Sequence, residues 1–508
     1  MGTALALIAA ADEAGVVVAA LLAAAAVLAP TARGQALAMA GALLLTPVLL
    51  VGHIYDTPQF EAVRDRPLIA AGAGIVALAL LAGAAVLVDR RPTVLPVAAL
   101  AVLPFRVPIE SGGSTANLLV PLYFVVAAGA LAFVVPRLRG ERGDEDAAAG
   151  RGRLEVLLLG LVVLYAIQAT YSDGFDKALE QVVFFYVPFA LLFVLLVRID
   201  WTRRLAVISL GVLTGLALVL CAIGFVEYAT RTLLLNPEVI ASNQFQSYFR
   251  VNSLFFDPNI FGRFLTVVML ALAARALWTR ERRVVVVAAA ALAVLWAGLV
   301  LTLSQSSLAS LLVGLAVLAA LRWSVAWTAA GVLGAGLVAA GAIALFPGAV
   351  RLELDSERSI KSATSGRGDL IAGGYRLWER RPVLGWGSGA FEGQYRKQEK
   401  VSGERAVSAS HTIPVTVAAE QGVVGLAAYL ALLAAAFWRL LRGARGSPLR
   451  AAVAAAFAAL VFHTLVYAAF LEDPLTWALL GIGTAAALRP ARDPEDALAA
   501  EAGGQARA

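Results

Sequence analysis

Apolar stretches of 17 to 25 residues recur along this chain from one end to the other, and nothing constrains its fold more than their length. At about 1.5 Å of rise per residue, each is long enough to cross a hydrocarbon layer of roughly 30 Å as a helix. Of the 508 residues, 60% are hydrophobic and only 15% are charged. The mean hydropathy, +0.81, lies far above that of a soluble globular domain. The expectation is an all-α integral membrane protein, a polytopic helical bundle of about 12–15 transmembrane helices with one large extracytoplasmic loop.

Spans are expected near 14–30, 35–55, 68–88, 93–109, 118–136, 154–170, 178–198 and 204–228. A second set follows near 259–279, 284–303, 305–321, 325–346, 413–440, 451–470 and 475–489. Arginine placement orients them. Arg137, Arg139, Arg142, Arg151 and Arg153 share one connection, Arg198, Arg203 and Arg204 another, and Arg280, Arg282 and Arg283 a third. Cationic connections stay on the cytoplasmic side, and alternation then puts Arg442, Arg445, Arg450 and the charged C-terminus there too. The organisation read from this is N-terminal spans over 1–230, a central region over 231–440 containing loop 347–412, C-terminal spans over 441–489, and a disordered polar tail over 490–508.

The net charge of +6 does not indicate nucleic acid, because the arginines lie in short clusters between apolar segments, where membrane orientation accounts for them. The single cysteine, Cys221, allows neither an intramolecular disulfide nor a cysteine metal cluster. No Lys or Arg precedes the first apolar run, and Asp12 and Glu13 interrupt it, so a cleaved signal peptide is not expected.

Two connections fall on the outer side and differ from the rest, 231–258 and the longer 347–412. Long loops in compact proteins are commonly functional. In the second, Leu370, Ile371, Gly374, Tyr375 and Trp378 recur at helical spacing, with Asp369, Arg376 and Glu379 turned away, which predicts a helix along the outer membrane surface.

That loop reads Ser365-Gly-Arg-Gly-Asp-Leu, then Tyr375-Arg-Leu-Trp, then Arg381-Pro-Val-Leu-Gly-Trp-Gly-Ser-Gly-Ala-Phe391. It ends in Ser408-Ala-Ser-His-Thr412 and runs into a span carrying Glu420-Gln-Gly-Val-Val-Gly425. This order resembles the signature region of the O-antigen ligase and polymerase family: an arginine-started helix, a Pro-x-x-Gly-x-Gly turn, a histidine, then Glu-x-Gly-x-x-Gly in the next helix. Phe249-Arg-Val-Asn-Ser-Leu-Phe-Phe-Asp-Pro-Asn259 resembles the family's phenylalanine and Pro-Asn segment. The likeness covers roughly 245–430. Two departures stand out: Ser304-Gln-Ser-Ser307 replaces the Ser-Arg-Gly of many members, and Thr412 follows the histidine where the ligases more often have Asn or Ser.

The resemblance implies a glycosyltransferase of cell-surface polysaccharide biosynthesis, multi-pass in a bacterial-type plasma (inner) membrane. It would move a glycan from a polyprenyl-diphosphate-linked donor to a hydroxyl on a glycan, lipid or protein acceptor, as a ligase or a polymerase. Such transfer needs the acceptor hydroxyl deprotonated and the diphosphate stabilised as its charge grows. His411, at the outer start of a helix, suits the first task. Ser410 or Thr412 is expected to cap that helix and Pro414 to fit its first turn, and the positive helix end keeps imidazole neutral and attracts phosphate.

Arg250, Arg367 and Arg376 are the expected diphosphate ligands, since guanidinium offers paired donors and stays charged. Arg263 falls about one turn inside its span, where a charge is expensive unless it faces a polar cavity or a partner. No metal or other cofactor is called for. His53 and His463 are read as packing residues, although Tyr467, Glu472 and Asp473 leave a polar pocket near His463 open. Gly385, Gly387 and Gly389 are expected to form a tight turn, and Gly422 and Gly425 to serve close helix packing. The rival classes are a transporter or flippase of lipid-linked glycans, which predicts matching broken-helix repeats that are not evident here, and a non-catalytic membrane scaffold.

Overall fold

A computed structural model of the chain describes residues 2–55, 58–111, 114–143, 151–234, 249–345, 367–399, 412–467 and 469–489. The first part contains α1 (Gly2–Leu28), α2 (Ala32–Ile54), α3 (Pro58–Asp65), α4 (Pro67–Arg90) and α5 (Val94–Val102). A hairpin of β1 (Val107–Ser111) and β2 (Ser114–Leu118) follows, paired antiparallel with Val107 opposite Leu118. Then come α6 (Val120–Leu138), α7 (Arg153–Ala169), α8 (Phe175–Gln181), a π-helical turn at Val182–Tyr186, α9 (Val187–Val197) and α10 (Arg203–Thr230).

The second part contains α11 (Pro258–Trp278), α12 (Arg282–Leu301), α13 (Gln305–Arg322) and α14 (Val325–Leu345). It continues with α15 (Arg367–Arg380), α16 (Phe391–Glu399), α17 (Ile413–Leu441), α18 (Pro448–Thr464) and α19 (Pro474–Leu488). Among the described residues ten helices are long and apolar enough to cross a membrane, and three shorter apolar ones accompany them, at Val325–Leu337, Pro448–Thr464 and Pro474–Leu488. The polytopic all-α bundle expected from the hydropathy pattern is therefore present, with one small hairpin added.

Several helices begin where a short polar residue precedes proline. Asp257, Ser447 and Asp473 each accept a hydrogen bond from a backbone N–H of the first turn, ahead of Pro258, Pro448 and Pro474. The cap satisfies an otherwise unpaired donor, and proline at the first helical position has no N–H to lose. α18 and α19 are buried along nearly their whole length, between α9, α11 and α13. By contrast α4 buries only Ala85, leaving Leu68, Ile69, Ile75 and Leu78 exposed, as a lipid-facing helix does.

The structure corrects the sequence reading in three places. The stretch 93–109 is not a span: α5 stops after nine residues and the chain turns into the hairpin. The expected surface helix exists as α15, but its inner face is Leu377 with the buried Gly373 and Gly374, packed on Phe391, Tyr395 and Ala419. Ile371 and Tyr375 stay exposed, so the apolar stripe divides between a small second core and the surface. Finally, α17 is broken at Gly422 (φ +65°, ψ −163°).

Candidate functional site

The broken helix and the glycine-rich turn hold each other by main chain. Trp386 N donates to Ala419 O (3.1 Å) and Gly387 N to Glu420 O (2.8 Å), while Val423 N donates to Pro382 O (2.8 Å). The break at Gly422 releases carbonyls and amides from the helical ladder, and the turn at 382–387 takes them up. From α7, Gln168 Nε2 reaches the carbonyls of Leu384 and Gln421, both at 3.3 Å, and Tyr171 Oη donates to Leu384 O (2.8 Å). Glu420 Oε1 accepts from Phe391 N (3.0 Å), which ties the start of α16 to α17. The turn was expected from its glycines; Gly422, expected to serve packing, instead supplies a positive φ.

At the end of the bundle remote from the arginine-rich connections, Arg263 stands at the centre of a buried polar cluster. Its Nη1 pairs with Asp473 Oδ2 and donates to Ala469 O (3.2 Å), and Nε and Nη2 reach His463 Nδ1 at 3.3 and 3.0 Å. Guanidinium only donates, so Nδ1 must accept, and a neutral His463 then carries its proton on Nε2. That nitrogen donates towards Ser306 Oγ (3.1 Å) and Ser307 Oγ (3.2 Å). Asp473 divides its two oxygens, one for Arg263 and one for Leu475 N at the start of α19 (2.9 Å).

The serines link this cluster to Arg250. Ser304 caps α13 through Ser307 N and lies 2.8 Å from Asn259 Oδ1. Asn259 Oδ1 in turn accepts from Arg250 Nη2 (3.0 Å), while Arg250 Nε donates to Thr302 O (2.9 Å). Tyr467 closes the other side, stacked edge-on to His463 with ring centroids 5.6 Å apart and hydrogen-bonded to Asp257. Burial raises the pKa of its phenol above the usual value and keeps it a proton donor.

A cavity of about 250 Å³ adjoins the cluster across the turn that joins α18 to α19. Ile413, Thr416 and Glu420 from the first turns of α17 line one wall, Tyr165 and Tyr186 another, and Ala469–Glu472 the side towards Arg263. Thr412 does not cap α17 as expected: its Oγ1 donates to Leu465 O (2.9 Å), pinning the N-terminal end of α17 to the turn that follows His463.

Of the residues singled out from sequence, Arg250 and Arg263 are brought together through Asn259, Ser304, Ser307 and His463. Arg367 is the first residue of α15. Arg376 is directed elsewhere, into an exposed ion pair with Glu399 (2.8 Å). His411 lies outside the described residues. Three features carry only weak signals in the sequence: the serines, which stand where many family members have Ser-Arg-Gly; His463, whose signal is the nearby Tyr467, Glu472 and Asp473; and Arg106, a charge inside the apolar stretch 93–109. Arg106 lies within electrostatic reach of Asp473, Arg263 and Tyr467.

Among the described residues, ten helices long and apolar enough to cross a membrane and a buried arginine-centred cluster, with a motif-bearing loop packed on α17, define a multi-pass membrane protein with a polar site set in its bundle. Residues 288–430 match the family model described as O-antigen ligase, and the match supports membership of that family and an O-antigen ligase-like membrane glycan transferase. No curated protein matches the chain.

Proposed function

We propose that this protein transfers a glycan from a polyprenyl-diphosphate donor to an acceptor hydroxyl on the extracytoplasmic face of the membrane. His411 takes the proton of the hydroxyl as it attacks the anomeric carbon from the side opposite the leaving diphosphate, so configuration inverts, and no metal is required. Arg250, Arg263 and Arg367 supply positive charge to the departing diphosphate, with Arg376 at the rim.

The observation that carries this reading is the hydrogen bond from Thr412 Oγ1 to Leu465 O. It holds the helix end that follows His411 beside the turn contacted by Arg263, so a base and a phosphate-binding cluster have neighbouring anchors. The positive end of the α17 dipole adds a favourable field for an anion and disfavours imidazolium.

The test compares cells carrying the wild-type protein or His411→Ala at equal expression. Lipid-linked glycan should accumulate and mature surface glycan should fall in the variant; glycan chain length then separates a polymerase from a ligase. Unchanged donor and surface glycan would show that His411 is not the base.

A further inference from the structure

Arg106 approaches the cluster from a part of the chain well outside residues 288–430. α5 has nine residues, a length of about 14 Å and less than half of a hydrocarbon layer. It starts beside the arginine-rich connection, just after Arg90 and Arg91, so it ends within the bundle, and Arg106 follows four residues later. Irregular backbone at such depth is tolerated where it is covered by protein or lines a cavity.

Such a cavity is present. Leu100 and Leu103 of α5 share a pocket of about 90 Å³ with Phe264 of α11 and Leu475 of α19. Phe264 is the neighbour of Arg263, and Leu475 comes two residues after Asp473, so the apolar pocket lies alongside the charged cluster. Its lining is almost wholly apolar.

Arg106 is half-buried and within reach of the field of Asp473, yet among the described residues it makes no hydrogen bond and no ion pair. Asp473 is already shared between Arg263 and Leu475 N. A guanidinium held in a bundle with its donors unused is costly unless an anion completes it. Charge above and apolar surface below match a ligand with an anionic head and a hydrocarbon chain.

We infer that Arg106 is a donor-binding residue: its guanidinium grips a phosphate oxygen of the lipid diphosphate, whose hydrocarbon chain lies along Leu100, Leu103, Phe264 and Leu475. This rests on the reading that the donor is a polyprenyl diphosphate. It assigns the hairpin arm, outside the matched region, a part in recognising it.

The experiment measures binding of undecaprenyl diphosphate and of uncharged undecaprenol to the full-length protein in lipid nanodiscs. Arg106→Ala should weaken the diphosphate about tenfold, as loss of a hydrogen-bonded charge does, and leave undecaprenol unchanged; Arg106→Lys should recover part of the loss. If the alanine protein does not fold, Arg106→Gln, which keeps most of the side chain without its charge, is read in the same way. Equal diphosphate binding by wild type and variant overturns the role of Arg106 and leaves the proposed transferase standing. If the wild type binds diphosphate no more tightly than undecaprenol, the inference and the donor assignment fall together.

Discussion

Gly385 and Gly422 lie back to back: a Cβ on Gly385 would run into the Glu420 carbonyl, and one on Gly422 into the Val383 carbonyl. Both have positive φ, +71° and +65°. Two segments far apart in sequence thus meet through bare backbone, and their hydrogen bonds run directly from one main chain to the other. Because this junction sets where α17 starts relative to α7 and α16, it also shapes one wall of the larger cavity.

Alanine at either position should therefore be severe. A left-handed conformation is disfavoured by roughly 1–2 kcal/mol for a residue with a Cβ, before the backbone collision is added. Gly385→Ala and Gly422→Ala should each lower the melting temperature in detergent and abolish glycan transfer. Gly393→Ala, where a Cβ would meet nothing within 4 Å, is the control and should leave both unchanged.

The buried pair of Arg263 and Asp473 gives a second prediction. Removing one partner strands the other charge, and Asp473 also caps α19, so Asp473→Ala should destabilise by about 3–5 kcal/mol. The double variant Arg263→Met with Asp473→Ala removes the stranded charge and should recover part of that stability, read from the melting temperature. Transfer should stay lost in the double variant, because the cluster has lost its cation. Recovery of transfer along with stability would reduce Arg263 to a structural role.

Arg376 should behave differently from Arg263. Its ion pair with Glu399 is exposed, and pairs of that kind contribute at most about 1 kcal/mol. Arg376→Ala should leave the melting temperature nearly unchanged, and any loss of transfer should appear as weaker donor binding with the maximal rate retained. A fall in maximal rate at saturating donor would instead place Arg376 against the reacting atoms.

The contrast between Arg263 and Arg376 shows how far a linear reading reached. Both arginines were legible as charges in or beside apolar segments, and the argument from desolvation that singled out Arg263 depends only on its depth in a span. Which partner each would find was not legible. Asp473 lies 210 residues from Arg263, and His463 lies 200 residues away. No local periodicity relates positions so far apart.

What the sequence by itself determined was the solvent. Long apolar runs admit few folds, and pairs such as Asp257-Pro258 and Asp473-Pro474 start helices whatever surrounds them, because caps and proline act within a single turn. The sequence also marked the Pro382–Gly389 turn and the Glu420–Gly425 stretch as belonging to one family signature. Only the tertiary structure decided that these two interlock, that Gly422 breaks α17, that 93–109 ends halfway as α5, and that His463 stands between Arg263 on one side and Ser306 and Ser307 on the other. Burial in a low-dielectric bundle forces each polar group to be satisfied by whatever the packing brings near, and in the absence of water that choice belongs to the assembled helices.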